Sequence, residues 1–191
     1  PQTVFGWGRR TEAGRLAATL GRRAFLLSGS RTLVEQGVVA NIEHTLKQAG
    51  LDVVSATAPA HEPEVEDVDQ LTAAWRSLNP RDGDCVVAVG GGATIDLAKA
   101  AAALAVNTAG DSVVDYLEGV GKGLKLATDP LPMLAMPTTA GTGSEATKNA
   151  VISSYAPAFK KSLRSDRMIP RVVLIDPELT VSVPPTTTAY T

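Results

Sequence analysis

The sequence predicts an α/β fold, a parallel sheet flanked by helices, with an additional β-hairpin region near its C-terminal end. Two observations predict it. Short β-like runs alternate with longer helical ones, the signature of strands joined by crossover helices. The runs "LLS" and "VVAV" are apolar without polar alternation, as expected of strands buried on both faces. With 44% apolar residues in 191, the chain can fill a core of that kind.

Taken in order, "RAFLLS" (23–28) is the first clear strand and residues 32–49 read as a helix. "DVVSA" (52–56) is the next strand, and residues 64–78 the next helix. "DCVVAVG" (84–90) follows, with a helix from Thr94 onward. Gly21, Gly50, Pro59, Pro63 and "NPRDGD" (79–84) fall between these segments, where they turn the chain or end a helix. "DSVVDYLEG" (111–119) reads as a short helix before the glycine-rich "GVGKG", and "LPMLAMP" (131–137) as a buried strand. Beyond Ala150, "AVISS", "FKKSLRS" and "RVVLID" read as extended segments around a loop with Pro157. The closing "DPELTVSVPPTTTAYT" begins a helix with Pro184 and Pro185 early in it.

Charge and cysteine usage narrow the partners. The 18 basic and 20 acidic side chains nearly cancel, and no Lys/Arg cluster is interleaved with aromatics, so nothing suggests a nucleic-acid footprint. The lone Cys85 rules out an internal disulfide framework and reads as a small buried hydrophobe, which fits a reducing compartment. The N-terminus lacks a signal-peptide layout, and no apolar run approaches the roughly 20 residues of a membrane span. The expectation is a cytoplasmic protein with neither nucleic acid nor membrane as partner.

Two loops carry the candidate chemistry. In "VVAVGGGATIDLAKAAAAL" (86–104) a strand ends in Gly90, Gly91 and Gly92, and a helix begins. Bare N–H groups at a helix N-terminus favour a phosphate, and larger side chains would block its approach. It is neither G-x-G-x-x-G nor a P-loop, and the residues alone support a plain tight turn equally well. Thr94 can cap that helix, Asp96 can complement its dipole, and Lys99 stands at the i, i+3 spacing of a surface ion pair with Asp96. The second loop is "MPTTAGTGSEATKNAVI" (136–152), where Thr138, Thr139, Thr142 and Ser144 can donate to phosphate or ribose oxygens and Gly141 and Gly143 allow close approach. A solvated Ser/Thr loop is its plain reading. Both loops follow buried strands and would meet at the carboxyl edge of one sheet, where open α/β sheets bind ligands.

"GGGATIDLAKAAA" and "PTTAGTGSEATKNAVI", in that order and separation, resemble the iron-dependent (group III) alcohol dehydrogenases. "FGWG" (5–8) is similar to that family's opening strand, and "IPRVVLIDPELTVSVPP" to its approach to a domain junction. The resemblance implies a Rossmann-like NAD(P)-binding domain over residues 1–180. Residues 181–191 would start a helical metal-binding domain that the chain otherwise lacks. It further implies that Gly90, Gly91, Gly92, Ala93, Thr94 and Asp96 face the pyrophosphate of NAD or NADP. Thr138, Thr139, Thr142 and Thr147 would line its ribose and phosphate, with Lys160 a matching lysine and Leu179 an apolar residue near the nicotinamide. The implied reaction is hydride transfer between NAD(P)H and a small alcohol or aldehyde. In the family a divalent metal, Fe or Zn, is held by one aspartate and three histidines of the C-terminal domain. Here only His44 and His61 occur, both read as surface residues. The expectation is a cofactor-binding fragment, inactive alone, with no metal ligands and no assignable catalytic residue.

Two departures from the family stand out. "SGSRTL" puts Gly29 or Ser30, beside Arg31, where NAD-using members carry an acidic residue, which removes a bar to the NADP 2′-phosphate. "HEP" (61–63) puts Glu62 where the family usually has asparagine. A stand-alone nucleotide-binding or regulatory module, or a polyol or sugar-phosphate dehydrogenase relative, are the alternatives. The opening "TVFGWG" could cross to a partner, so a homo-oligomer is also an expectation.

Overall fold

The structure, a computed structural model, describes residues 1–190. In chain order it runs β1 (Gln2–Phe5), α1 (Ala13–Ala18), β2 (Arg23–Ser28), α2 (Arg31–Glu35), α3 (Val38–Gln48), β3 (Asp52–Thr57) and α4 (Val65–Ser77). It continues with β4 (Asp84–Gly90), α5 (Gly92–Leu104), β5 (Met133–Pro137), β6 (Asn149–Tyr155), β7 (Ala158–Arg164), β8 (Val172–Ile175) and α6 (Pro185–Tyr190). Six strands form one sheet in the order β1-β8-β5-β4-β2-β3, every neighbouring pair parallel. β6 and β7 form a separate antiparallel hairpin. This is the Rossmann-like α/β fold the sequence predicts, with the hairpin in its expected region.

β4 shows how the pattern becomes layers, because successive strand side chains point to opposite faces. Cys85, Val87 and Val89 pack with Leu16 of α1 and Ile42 and Leu46 of α3. Val86 and Ala88 pack on the other face, with Trp75 of α4 and Ala98 and Ala101 of α5. The buried Cys85 thiol is pushed up to about 12 by that burial, so it stays protonated and serves as packing. From Thr94 to Leu104 every residue of α5 is buried, and its alanines let the helix lie close against the sheet. The chain leaves β2 for β3 at one edge and crosses back to β4 on the other side of β2. The loops leaving β2 and β4 therefore diverge, and their divergence opens a crevice at the carboxyl edge.

Several boundaries differ from expectation for local reasons. The helix expected over 32–49 is two helices, broken at Gly37 with a left-handed φ of 73°. The apolar periodicity ran across this break because Leu33, Ile42 and Leu46 all face the same core. The opening strand lies at Gln2–Phe5 and not at 5–8, since Gly6 and Gly8, at φ 149° and 72°, turn the chain. The helix expected over 111–119 is a single 3-10 turn, Val113–Tyr116. α1 and the 3-10 turn before it were not anticipated. Of the closing helix, Thr191 lies outside the described residues.

One buried carboxylate ties the start of the chain to its end. Asp176 is fully buried and accepts the N–H groups of Gly8 (3.0 Å), Arg10 (2.8 Å) and Glu178 (3.0 Å) and the Arg10 guanidinium (3.2 Å). Burial works against the charge, but these donors hold the carboxyl below its ordinary range. A depressed folded pKa contributes stability that is present above the ordinary carboxylate pKa and is lost as pH falls through the folded value. Asp176→Ala should thus destabilise the fold by roughly 3 kcal/mol near neutral pH, as expected for a broken buried charge network, with the gap to wild type closing in acid. Urea unfolding at several pH values measures this, and an unchanged midpoint at pH 7 would contradict it.

Candidate functional site

A cavity of about 410 Å³ opens at the carboxyl edge of the sheet. The ends of four strands contribute: Gly29 and Ser30 after β2, Pro59 to His61 after β3, Gly91, Ala93 and Thr94 after β4, and Thr138 and Thr139 after β5. Leu179, buried in the core, forms part of the wall. A second cavity of about 240 Å³ is lined by Glu62, Gly92, Ala93, Asp96, Thr142, Ser144 and Lys160, among others. Ala93 lines both, so the two cavities flank the N-terminus of α5.

The glycine turn is built for close approach. Gly91 is the N-cap of α5, with extended backbone and no capping side chain, so the orphan first-turn N–H groups have no side-chain acceptor at the cap. A Cβ on Gly91 would lie 3.3 Å from Thr139 Oγ1, and one on Gly92 3.0 Å from Thr142 Cβ and 3.1 Å from Ser144 Oγ. The two loops thus meet across the glycines, where an added methyl would press on Thr139, Thr142 or Ser144. Thr94 is not the cap, because α5 begins two residues earlier. Its buried side chain fills space left by two other glycines: a Cβ on Gly90 would sit 2.4 Å from Thr94 Oγ1, and one on Gly29 only 1.7 Å from it.

Eleven of the thirteen expected site residues line one cavity or the other: Ser30, Gly91, Ala93, Thr94, Thr138, Thr139 and Leu179 the first, and Gly92, Ala93, Asp96, Thr142 and Lys160 the second, with Ala93 in both. Gly90 lies beneath them, its carbonyl accepting the Thr138 N–H at 3.0 Å. Thr147 lines neither cavity, and its hydroxyl accepts from Lys99 (3.1 Å) and points back to the Ser144 carbonyl (3.4 Å). Leu179 shares the cavity of Ser30, across the glycine turn from Lys160 and Asp96. Lys160 is exposed and bound through both Glu62 carboxylate oxygens at 2.6 and 2.7 Å, which holds Glu62 below its ordinary range.

Two charged residues behave differently from expectation, and a third, His61, is exposed as expected but also borders a cavity. Lys99 is fully buried rather than part of a surface pair, and burial pushes its ammonium down to about 8. Asp96 lies beyond the first turn of α5, where it accepts the Val151 N–H at 3.0 Å, and its burial raises its carboxyl. His61 lines the first cavity, with Nδ1 2.8 Å from the Glu62 carbonyl and 3.6 and 3.7 Å from the Asp67 and Glu64 carboxylates. The carbonyl contact first, and then those carboxylates, raise its pKa. Its place in the loop after the predicted strand at 52–56 was the available signal, since that loop had to reach the same edge. No group of three or more His, Cys, Asp or Glu among the described residues is placed to hold a metal ion.

A doubly wound parallel domain with its cavity at the switch point is the class of protein this geometry defines. The chain belongs to the iron-containing alcohol dehydrogenase family, whose model matches residues 1–177. It is 38% identical to long-chain-alcohol dehydrogenase 1 of Geobacillus thermodenitrificans over all of this chain and 46% of that protein. Among solved structures it is similar to NADH-dependent butanol dehydrogenase A of Thermotoga maritima (TM-score 0.87, 27% identity, covering 99% of this chain and 46% of that one). It is likewise similar to sulfoacetaldehyde reductase of Bifidobacterium kashiwanohense in complex with NAD+ (TM-score 0.83, 34% identity, 98% and 47%). The chain spans about half the length of the curated relatives it matches.

The tight seating of Thr94 gives a direct test. Gly90→Ala should destabilise the chain by about 1–3 kcal/mol, the usual cost of overpacking a buried site. Thermal unfolding checks it, and a wild-type melting temperature would contradict the packing described.

Proposed function

We propose that this chain forms the NAD(P)-binding part of an alcohol dehydrogenase or aldehyde reductase, with the dinucleotide lying across the N-terminus of α5. The observation that carries this reading is the lining of the larger cavity. Glycine backbone, hydroxyls and His61 supply its polar lining, and no carboxylate is among its lining residues. Such a lining accepts phosphate oxygens and does not repel them. The glycines also fit the group, since side chains on Gly91 or Gly92 would close the gap to Thr139, Thr142 and Ser144.

On this reading the first-turn N–H groups of α5 bind the pyrophosphate, and Thr138, Thr139 and Thr142 donate to phosphate and ribose oxygens. Gly29 and Ser30 border the adenosine end, and Leu179, which lines the same cavity, forms an apolar wall there and not beside the nicotinamide as the resemblance implies. Asp96, Lys160 and Glu62 border the other end. When bound, the cofactor would supply hydride chemistry in either direction: its reduced form would give a hydride to an aldehyde, and its oxidised form would accept one from an alcohol. No step is assigned to the family's metal, because the described residues offer no ligand set for it. The NADH-dependent butanol dehydrogenase and the NAD+ complex among the similar structures support a nicotinamide cofactor. A cytoplasmic location and a homo-oligomer remain part of the proposal, and no helix among the described residues is long and apolar enough to cross a membrane.

Titrating the chain with NADH and NADPH tests this. Ligand at about 100 times its Kd should add roughly 2.7 kcal/mol of stability, and no stabilisation by either cofactor would contradict the proposal.

The NADP reading has its own test. Gly29→Asp is a poor choice because its Cβ would strike Thr94. Ser30 is the N-cap of α2 and accepts the Leu33 N–H at 3.3 Å, a role aspartate also fills. Ser30→Asp should therefore keep the fold and weaken NADPH relative to NADH by roughly tenfold, through repulsion of the 2′-phosphate. An unchanged ratio of the two dissociation constants would overturn it.

A further inference from the structure

The hairpin strand β6 has one edge paired with β7, while its other edge faces α5 and α4 without a strand beside it. Backbone groups on that edge still need partners. Ser153 N–H finds the Pro63 carbonyl at 2.9 Å, and Val151 N–H finds the Asp96 carboxylate at 3.0 Å. The Asn149 carbonyl and, just before the strand, the Thr147 carbonyl both accept from the Lys99 ammonium, at 2.8 and 2.9 Å. The third Lys99 donor goes to Thr147 Oγ1 at 3.1 Å. Two side chains one turn apart on α5 thus replace the missing neighbouring strand.

We infer that Lys99 is a positioning residue, tying the end of the hydroxyl-rich loop to α5 so that Thr139, Thr142 and Ser144 stand against the glycine turn. A lysine suits this task because its three donors meet three oxygens of a segment that has no strand to pair with. A buried charge with all its donors used is retained where a shorter or apolar side chain would leave two carbonyls unpaired. The tie acts where the spacing of the two loops is set: Asp96 lines the second cavity, and Lys99 lies one turn below it. The inference rests on the cofactor reading for its functional consequence, but the tie itself is a property of the ligand-free chain.

The charged neighbours of Lys99 are Asp96, whose Oδ1 lies 3.8 Å away, and Glu145, with Arg167 and Arg171 lining a narrow gap beside it. Because the folded pKa is lowered to about 8, the ammonium loses its proton in the fold while an unfolded lysine keeps it. Burial of the charge therefore opposes folding below pH 8, and that opposition fades as pH rises from about 8 towards the ordinary lysine value. Local and global effects then have opposite signs: the loop loosens above pH 8 while Lys99's contribution to overall stability improves.

The experiment combines hydrogen exchange and cofactor titration on the full chain and on Lys99→Met, from about pH 7 to about pH 9, to span the shifted lysine. In wild type the protection factors of residues 138–151 should fall across this range while those of β4 hold, and the Kd for NADH should rise with them. Lys99→Met should show low loop protection at every pH, with an NADH Kd raised by roughly tenfold and flat across the range. Loop protection that is flat with pH in wild type, or equal in the two proteins, would overturn the inference. If Lys99→Met does not fold, the wild-type exchange profile decides alone. Failure of wild type to bind NADH or NADPH would count against the cofactor reading, while the exchange data still judge the tie.

Discussion

The site depends on α5 being immovable. From Thr94 to Leu104 the helix is buried, pressed by alanines against β4 and β5 and by its other side against α4 and β6. Its N-terminus is therefore a fixed point from which every loop at the carboxyl edge is measured. The glycine turn leads into it, Thr94 locks it to the loops after β2 and β4, and Asp96 and Lys99 fasten β6 to its flank. Removing freedom from one helix gives four loops a common frame.

Polar groups inside this frame follow one rule: a buried charge is present only where backbone groups have no other partner. Asp176 collects three N–H groups and a guanidinium where the chain's two ends meet, and Lys99 collects two carbonyls and a hydroxyl where a strand edge is bare. Arg23 and the buried Asp84 do the same at the opposite edge of the sheet, where Asp84 also accepts the Arg81 N–H at 2.8 Å. These charges spend their hydrogen bonds on structure. The polar lining of the larger cavity is left to glycine backbone, hydroxyl and imidazole groups, which suits a phosphate-bearing ligand.

Much of this was legible in the sequence, for identifiable reasons. Strands buried on both faces are continuous apolar runs, so β2, β4 and β5 stood out, and the two polar loops after β4 and β5 had to share an edge once the sheet was parallel. Periodicity could not reveal the break at Gly37, because the helices on either side face one core. The i, i+3 spacing of Asp96 and Lys99 concealed their role, since the same spacing makes an ordinary surface pair; only the packing of β6 over α5 buries them. His61 is the surface residue the sequence predicts, but nothing local marks it as cavity-lining, because the cavity exists only through the folding together of the loops after β2, β3, β4 and β5.

The central claim is that a nicotinamide dinucleotide lies across the N-terminus of α5, between the glycine turn and the hydroxyl-rich loop. Backbone amide NMR of the labelled chain, recorded with increasing NADH, addresses it residue by residue. The account predicts that the largest shifts fall on Gly91, Gly92, Ala93, Thr138, Thr139 and Thr142. Shifts confined to the opposite edge, around Arg22, Arg81 and Gly83, would contradict it.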